Sequence, residues 1–157
     1  ENGQKWKEGT NKDGKQDGLW TVWYPNGQKA GEGNVKDGKP DGFGASWYEN
    51  GDKKWESSFK GGKLMTSVQW KPNGEKCPVT NVVDGNGVLV GYYENGQKDS
   101  EGNYKGGKLM TVVVWKPNGE KCPVTKLIDG NGVALWYKKD GTEELRQTYK
   151  EGEIVRD

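Results

Sequence analysis

Cys77 and Cys122 are the two thiols of the chain, and both stand in the same Cys-Pro-Val-Thr setting. There is no histidine. A Ser-His-Asp or Cys-His nucleophile and a His-ligated zinc are thereby excluded. The thiols are 45 residues apart. At equivalent points of a strand meander they would stand roughly 19 Å apart at ~4.8 Å per strand, beyond the reach of a disulfide. The expectation is two small, partly buried residues packed against Trp70 and Trp115, with a bond between chains as the alternative. Asp84-Gly85-Asn86-Gly87 and its copy at Asp129 open like a calcium loop. The next ligand position is Val88, however, and no Glu closes the loop, so the reading is a turn. The 23 acidic residues include pairs suited in principle to sugar hydrolysis. Most of them, such as Glu49, Glu75, Glu94 and Glu120, recur beside turns. A residue repeated in every unit serves architecture, whereas an active site needs something that occurs once. No catalytic residue, cofactor or metal is therefore assigned, and the chain is read as a non-enzyme.

The side chains best suited to binding are aromatic. Trp23, Trp47, Trp70, Tyr92, Trp115 and Tyr137 each lie three residues before a turn Asn or Asp. On a meander they form a column on one face, spaced by about two strands or ~9.6 Å. Tyr24, Tyr48 and Tyr93 point to the other face, joined there by Phe59, Tyr104 and Tyr149. A column of rings either fills a thin core or stays exposed and stacks on a ligand. The binding reading requires at least three of the six rings to be accessible on a common face.

Positioning such a column requires many short strands, and the composition supplies them. Leu, Ile, Val and Phe make only 25 of 157 residues, too few for an ordinary globular core. Disorder is nonetheless disfavoured, because 24 basic and 23 acidic residues nearly cancel, and eight Trp and seven Tyr favour pleated surfaces. The 26 glycines are too many for helices and lack the collagen triplet. The even mixing of charges speaks against nucleic acid as a partner, and the lack of a basic cluster or amphipathic helix against membrane lipid. No apolar run approaches a membrane span and no signal-peptide pattern opens the chain. The opening Glu1-Asn2-Gly3 lies in mid-motif, as expected of a processed or truncated N-terminus.

Internal repetition organises the whole sequence. The stretch from Gly61 to Lys105 aligns without a gap to that from Gly106 to Lys150. Within it runs a shorter period of 22–24 residues, marked by Asn2-Gly3, Asn26-Gly27, Asn50-Gly51, Asn73-Gly74, Asn95-Gly96, Asn118-Gly119 and Asp140-Gly141. Between these come Lys-Asp-Gly-Lys, Lys-Gly-Gly-Lys or Asp-Gly-Asn-Gly turns, so a turn arrives about every 11 residues. That spacing predicts strands of roughly 5–7 residues and leaves no room for a helix. With a two-residue hairpin loop at Asn26-Gly27, both turn residues at positive φ, Tyr24 faces Lys29, Trp23 faces Ala30 and Val22 faces Gly31. The same register at Asn73 sets Trp70 opposite Cys77 and Val68 opposite Val79. The predicted fold is one all-β domain over residues 1–157: an elongated, single-layer antiparallel meander of about fourteen strands in tandem hairpins. A closed barrel is the rival, disfavoured because so few apolar side chains would fill its lumen.

The phrases WYPNGQKAGEGNVKDGKPDG (Trp23 to Gly42) and YYENGQKDSEGNYKGGK (Tyr92 to Lys108) resemble bacterial MORN-repeat variant proteins, many of them YwqK-type and antitoxin-like. The likeness spans essentially the whole chain. It departs at CPVTNVVDGNGV and CPVTKLIDGNGV, which replace the usual short Gly-rich segment. The resemblance implies a hairpin scaffold for protein–protein contacts and favours a bacterial envelope or secreted location over the cytoplasm. The functional expectation is a non-catalytic scaffold binding a protein partner, with the ring column as its surface. The alternative is a carbohydrate-binding module that stacks a polysaccharide on the same rings. Charged edge strands, Gln4 to Thr10 and Glu144 to Lys150, favour a monomer.

Overall fold

Alternation of short strands with glycine turns yields fifteen strands and, among the described residues, no helix. The computed structural model describes residues 6–155, so the turn expected at Asn2-Gly3 and the start of the first edge strand lie outside them. In chain order the strands are β1 (Lys7–Glu8), β2 (Asn11–Lys12), β3 (Lys15–Gln16), β4 (Gly18–Trp23), β5 (Lys29–Lys36), β6 (Lys39–Trp47), β7 (Lys53–Lys60), β8 (Lys63–Gln69), β9 (Gly87–Tyr92), β10 (Lys98–Lys105), β11 (Lys108–Val114), β12 (Lys126–Ile128), β13 (Asn131–Tyr137), β14 (Glu143–Lys150) and β15 (Glu153–Ile154). Every ladder is antiparallel and joins chain neighbours, except that β1 reaches past the β2–β3 hairpin to β4. The fold is an antiparallel meander. The two Cys-Pro-Val-Thr segments interrupt its ladders, and a single bridge between Ser67 and Val82 carries the sheet across the first of them.

Two kinds of turn alternate. At Asn26-Gly27 the Gly27 amide bonds the Tyr24 carbonyl at 2.9 Å, and Gly27 alone takes positive φ, 84°. This is a type I turn closed by a glycine bulge rather than the two-residue loop expected. Pro25 disfavours that loop, because the residue before the loop would donate an N–H to Gln28 and proline has none, but Asn50-Gly51, Asn95-Gly96 and Asp140-Gly141 take the same bulged turn without a proline. The Asn side chain adds to it: Asn26 Oδ1 accepts the Gln28 amide at 2.9 Å, and Asn50, Asn73, Asn95, Asn118 and Asp140 do the same two residues on. The bulge shifts the register by one. Val22 still faces Gly31, but Trp23 faces Lys29, not Ala30, and Tyr24 bonds Gln28. Likewise Trp70 faces Lys76, not Cys77, and Val79, expected opposite Val68, is exposed.

The turns with two positive-φ residues lie at the opposite ends of the strands. Asp37 and Gly38 stand at 51° and 78°, Gly61 and Gly62 at 56° and 86°, Asp129 and Gly130 at 48° and 77°. Their tips stack on neighbouring backbone. The Gly62 amide bonds Pro40 O, Gly85 bonds Met65 O, Gly107 bonds Gly85 O, Gly130 bonds Met110 O and Gly152 bonds Gly130 O, each at 2.8 Å. Longer bonds, Leu64 N to Gly107 O at 3.2 Å and Leu109 N to Gly152 O at 3.3 Å, join segments 43 residues apart. At the Asn-Gly end, Lys139 Nζ lies 2.8 Å from Glu49 and 3.9 Å from Glu94, and the Glu49 amide bonds Glu94 Oε1 at 2.8 Å. Strands of a flat sheet would hold such groups several strand spacings apart. The sheet is therefore coiled, and the 45-residue period brings successive units into contact.

Burial is uneven along the array. The larger core gathers Leu109, Val112, Val114, Leu127, Ala134 and Leu135 around the second unit, and a smaller one holds Cys77, Val90 and Tyr92. The turn stack itself is close-packed. A Cβ at Gly130 would meet the Gly152 nitrogen at 2.4 Å, whereas Gly141 at φ 85° has nothing within 4 Å. We expect Gly130→Ala to lower stability in urea unfolding by about 2–4 kcal/mol and Gly141→Ala by only about 1–2 kcal/mol. Equal losses would mean that turn contact adds nothing to backbone strain.

Candidate functional site

The ring column is covered by lysine. Trp23, Trp47, Trp70 and Trp115 are half-buried, while Tyr92 and Tyr137 are buried, so none of the six stands open. The glycine bulge sets a lysine opposite most of these rings, and that lysine reaches the ring of the next hairpin. Lys29 lies 5.5 Å from the centroid of Trp47, Lys53 5.5 Å from that of Trp70, and Lys98 5.7 Å from that of Trp115. The same lysines pair with Glu32, Glu56 and Glu101 three residues on. Lys116 covers Tyr137 at 5.8 Å. Such cation–ring contacts are each worth ~0.5–1 kcal/mol when exposed. The column thus serves the contacts between hairpins, and the open platform that polysaccharide stacking requires does not form there.

The second set of rings also joins hairpins. Tyr24, Tyr48 and Tyr93 donate their hydroxyls to the carbonyls of Trp47, Trp70 and Trp115 at 2.7, 2.8 and 2.7 Å. Burial pushes these phenols up, so they remain donors. The cysteines meet tyrosine rather than the tryptophans expected: Cys77 Sγ and Cys122 Sγ lie 3.2 Å from the hydroxyls of Tyr92 and Tyr137. Both thiols are free and buried. Burial pushes Cys77 up, but hydrogen bonds from Tyr92, Thr80 and the Val79 amide outweigh it and leave the thiol below its ordinary value. Thr125, Tyr137 and the Val124 amide do the same for Cys122. This explains why the column changes from Trp to Tyr at these two places, where the ring must carry a hydroxyl.

The open surface lies on the opposite face. Cross-strand partners share a face, and two rows run Val22, Gly31, Ser46, Trp55, Gln69 and Trp20, Gly33, Gly44, Ser57, Ser67. Glycine and serine leave a floor without bulk, and coiling bends the later strands over it. The result is a groove of about 670 Å³ whose walls include Trp55, Phe59, Leu89, Tyr104, Trp136 and Tyr149. That is within the range of ligand pockets, and the walls are mainly apolar. Phe59, Tyr104 and Tyr149 were placed on this face by sequence. Trp55 and Trp136 were missed because neither has an aromatic counterpart: the equivalents of Trp55 are Gly31, Ser100 and Leu145, and that of Trp136 is Gly91.

Lys54 and Asp99, 45 residues apart in the chain, meet in the groove with Nζ and Oδ2 4.0 Å apart. Gly91 makes room, since a Cβ there would lie 2.3 Å from Asp99 Oδ1. Ser100 Oγ donates to that oxygen at 2.6 Å. Burial pushes the Asp99 carboxyl above its ordinary value, and Lys54 and the Ser100 bonds only partly offset it. Among the described residues no group of three or more His, Cys, Asp or Glu is placed to hold a metal. The chain matches no family model and no curated protein.

A raised pKa means that folded Asp99 keeps its proton to a higher pH than the unfolded chain does. Its ionisation then costs stability as pH rises from the ordinary carboxylate range through the folded value, and nothing below that range. Asp99→Asn removes this cost and keeps an oxygen for Ser100, while Lys54, 31% exposed, stays hydrated. The variant is expected to match the parent near roughly pH 3 and to exceed it in urea midpoint at neutral pH. A variant less stable at neutral pH would mean that Lys54 outweighs desolvation.

Proposed function

We propose that the chain is a non-catalytic repeat scaffold that binds a partner protein, and that its binding surface is the groove rather than the ring column. One observation carries this reading: coiling leaves a half-open groove with Trp55, Tyr104 and Trp136 in its walls. Positions 54, 99 and 144 hold Lys, Asp and Glu, and positions 91 and 136 hold Gly and Trp. Such departures are spread over residues 89–103 and their copies, Lys98 to Glu143 on the ring column included, and Asp99 and Trp136 are among those that line the groove beside Lys54 and Trp55. Half-buried aromatic side chains in a recess are the usual anchors of an interface. The resemblance to MORN-repeat variants supports the scaffold role. Lysine capping of the column speaks against the polysaccharide alternative on those rings.

Trp55→Ser gives the test, because Ser100 shows that the repeat accommodates serine at this position. In affinity capture from lysate and envelope fractions, the parent should retain one near-stoichiometric protein that the refolded, stability-matched variant loses. Equal retention by both would move the interface elsewhere, and retention of polysaccharide alone would replace the protein reading.

A further inference from the structure

The groove has an excess of positive charge that its own carboxylates do not satisfy. Its charged lining is Lys39, Lys54, Lys63 and Lys108 against Asp99 and Glu153. Lys54 faces Asp99 at 4.0 Å and Lys108 faces Glu153 at 3.2 Å. Among the described residues, no carboxylate lies within 4 Å of either Lys39 or Lys63. These lysines come from separate hairpins, yet coiling gathers them. Lys39 packs beside Gly62, Lys63 beside Gly107 and Lys108 beside Gly152, and all three act on the Glu153 carboxylate. Because the chain carries only +1 overall, this rim is a local feature and not a consequence of basic composition.

Resting on the reading of the groove as the partner surface, we propose that it takes an acidic segment of the partner, with apolar side chains against Trp55, Tyr104 and Trp136 and carboxylates on Lys39 and Lys63. The floor is a sheet face whose amides are spent in strand ladders, so it offers few donors to a neutral hydroxylated chain. Charge and rings are what it presents. A peptide entering from the open side keeps its backbone in water and buries only side chains.

Random short peptides displayed on phage, selected on the intact chain, test this. The expected pool is acidic with aromatic or aliphatic residues. Its binding should weaken with salt, and on a Lys39→Glu, Lys63→Glu variant it should fall at least about tenfold. The salt dependence is read on the unaltered chain and so does not rely on the variant folding. A neutral or basic pool whose binding still needs Trp55 would overturn the acidic specificity and leave the groove as the partner surface. A pool indifferent to Trp55→Ser would remove both. Competition by oligogalacturonate as effective as by unlabelled selected peptide would assign the lysines to an acidic sugar instead.

Discussion

The stacked type I′ turns are the constraint on which the rest of the structure depends. Each holds two residues at positive φ, and the second, always glycine, aims its amide at a carbonyl of a neighbouring turn or strand. The approach is close enough that a Cβ at Gly85, Gly107, Gly130 or Gly152 would collide with backbone or with a lysine stem. One end of the strands is thereby drawn tighter than pairing alone requires. Bulges occur at both ends of the strands, strand twist adds to them, and the layer coils. Coiling in turn makes the groove: without it Lys54 and Asp99 would be several strands apart.

A thin array with so few aliphatic residues must be held by contacts between units, and three ladders share that task. The hydroxyls of Tyr24, Tyr48 and Tyr93 tie three hairpins to the next carbonyl, and Asn26, Asn50 and Asn95 do so at the turn tips. Lysine lies between the ring of one hairpin and the glutamate of another. Such terms are individually modest, and exposed ion pairs are worth only ~0.2–1 kcal/mol. Their regular repetition makes stability nearly a sum over neighbours, as in other repeat arrays. The inserted Cys-Pro-Val-Thr segments add aliphatic burial where it is densest, around Val112, Leu127 and Leu135.

Much of this was legible in the sequence, because turn chemistry is local. The spacing of Asn-Gly and Lys-x-Gly-Lys gave the strand lengths, the antiparallel meander and the lack of helices among the described residues. What it misassigned was which turn carries two positive φ values. Asn-Gly alone suits the two-residue loop, but at Asn26, Asn50, Asn73, Asn95, Asn118 and Asp140 only the following glycine takes positive φ, with or without a proline before it, and Asp-Gly, Gly-Gly or Glu-Gly at the other strand end takes that geometry instead. One residue of slip followed, enough to set lysine rather than alanine across from Trp23. Coiling was not legible, since it arises from contacts between residues 43 to 45 apart that no pairing rule encodes.

The site followed the same division between local and distant information. A search for recurring aromatic positions finds the residues that every hairpin needs, and these were the ones the structure used for packing. Trp55 and Trp136 fall outside any such search because their counterparts are glycine, serine or leucine. In Gly61–Lys105 against Gly106–Lys150 the copies agree closely as far as Val88 and Val133, but over residues 89–103 they differ at 13 of 15 positions, Gly91 to Trp136 and Asp99 to Glu144 among them. Divergence alone does not mark the groove, because the same stretch changes Tyr93 to Lys138 and Lys98 to Glu143, although Tyr93 and Lys98 hold one hairpin to the next; only the coiled sheet separates Trp136 and Asp99 from them.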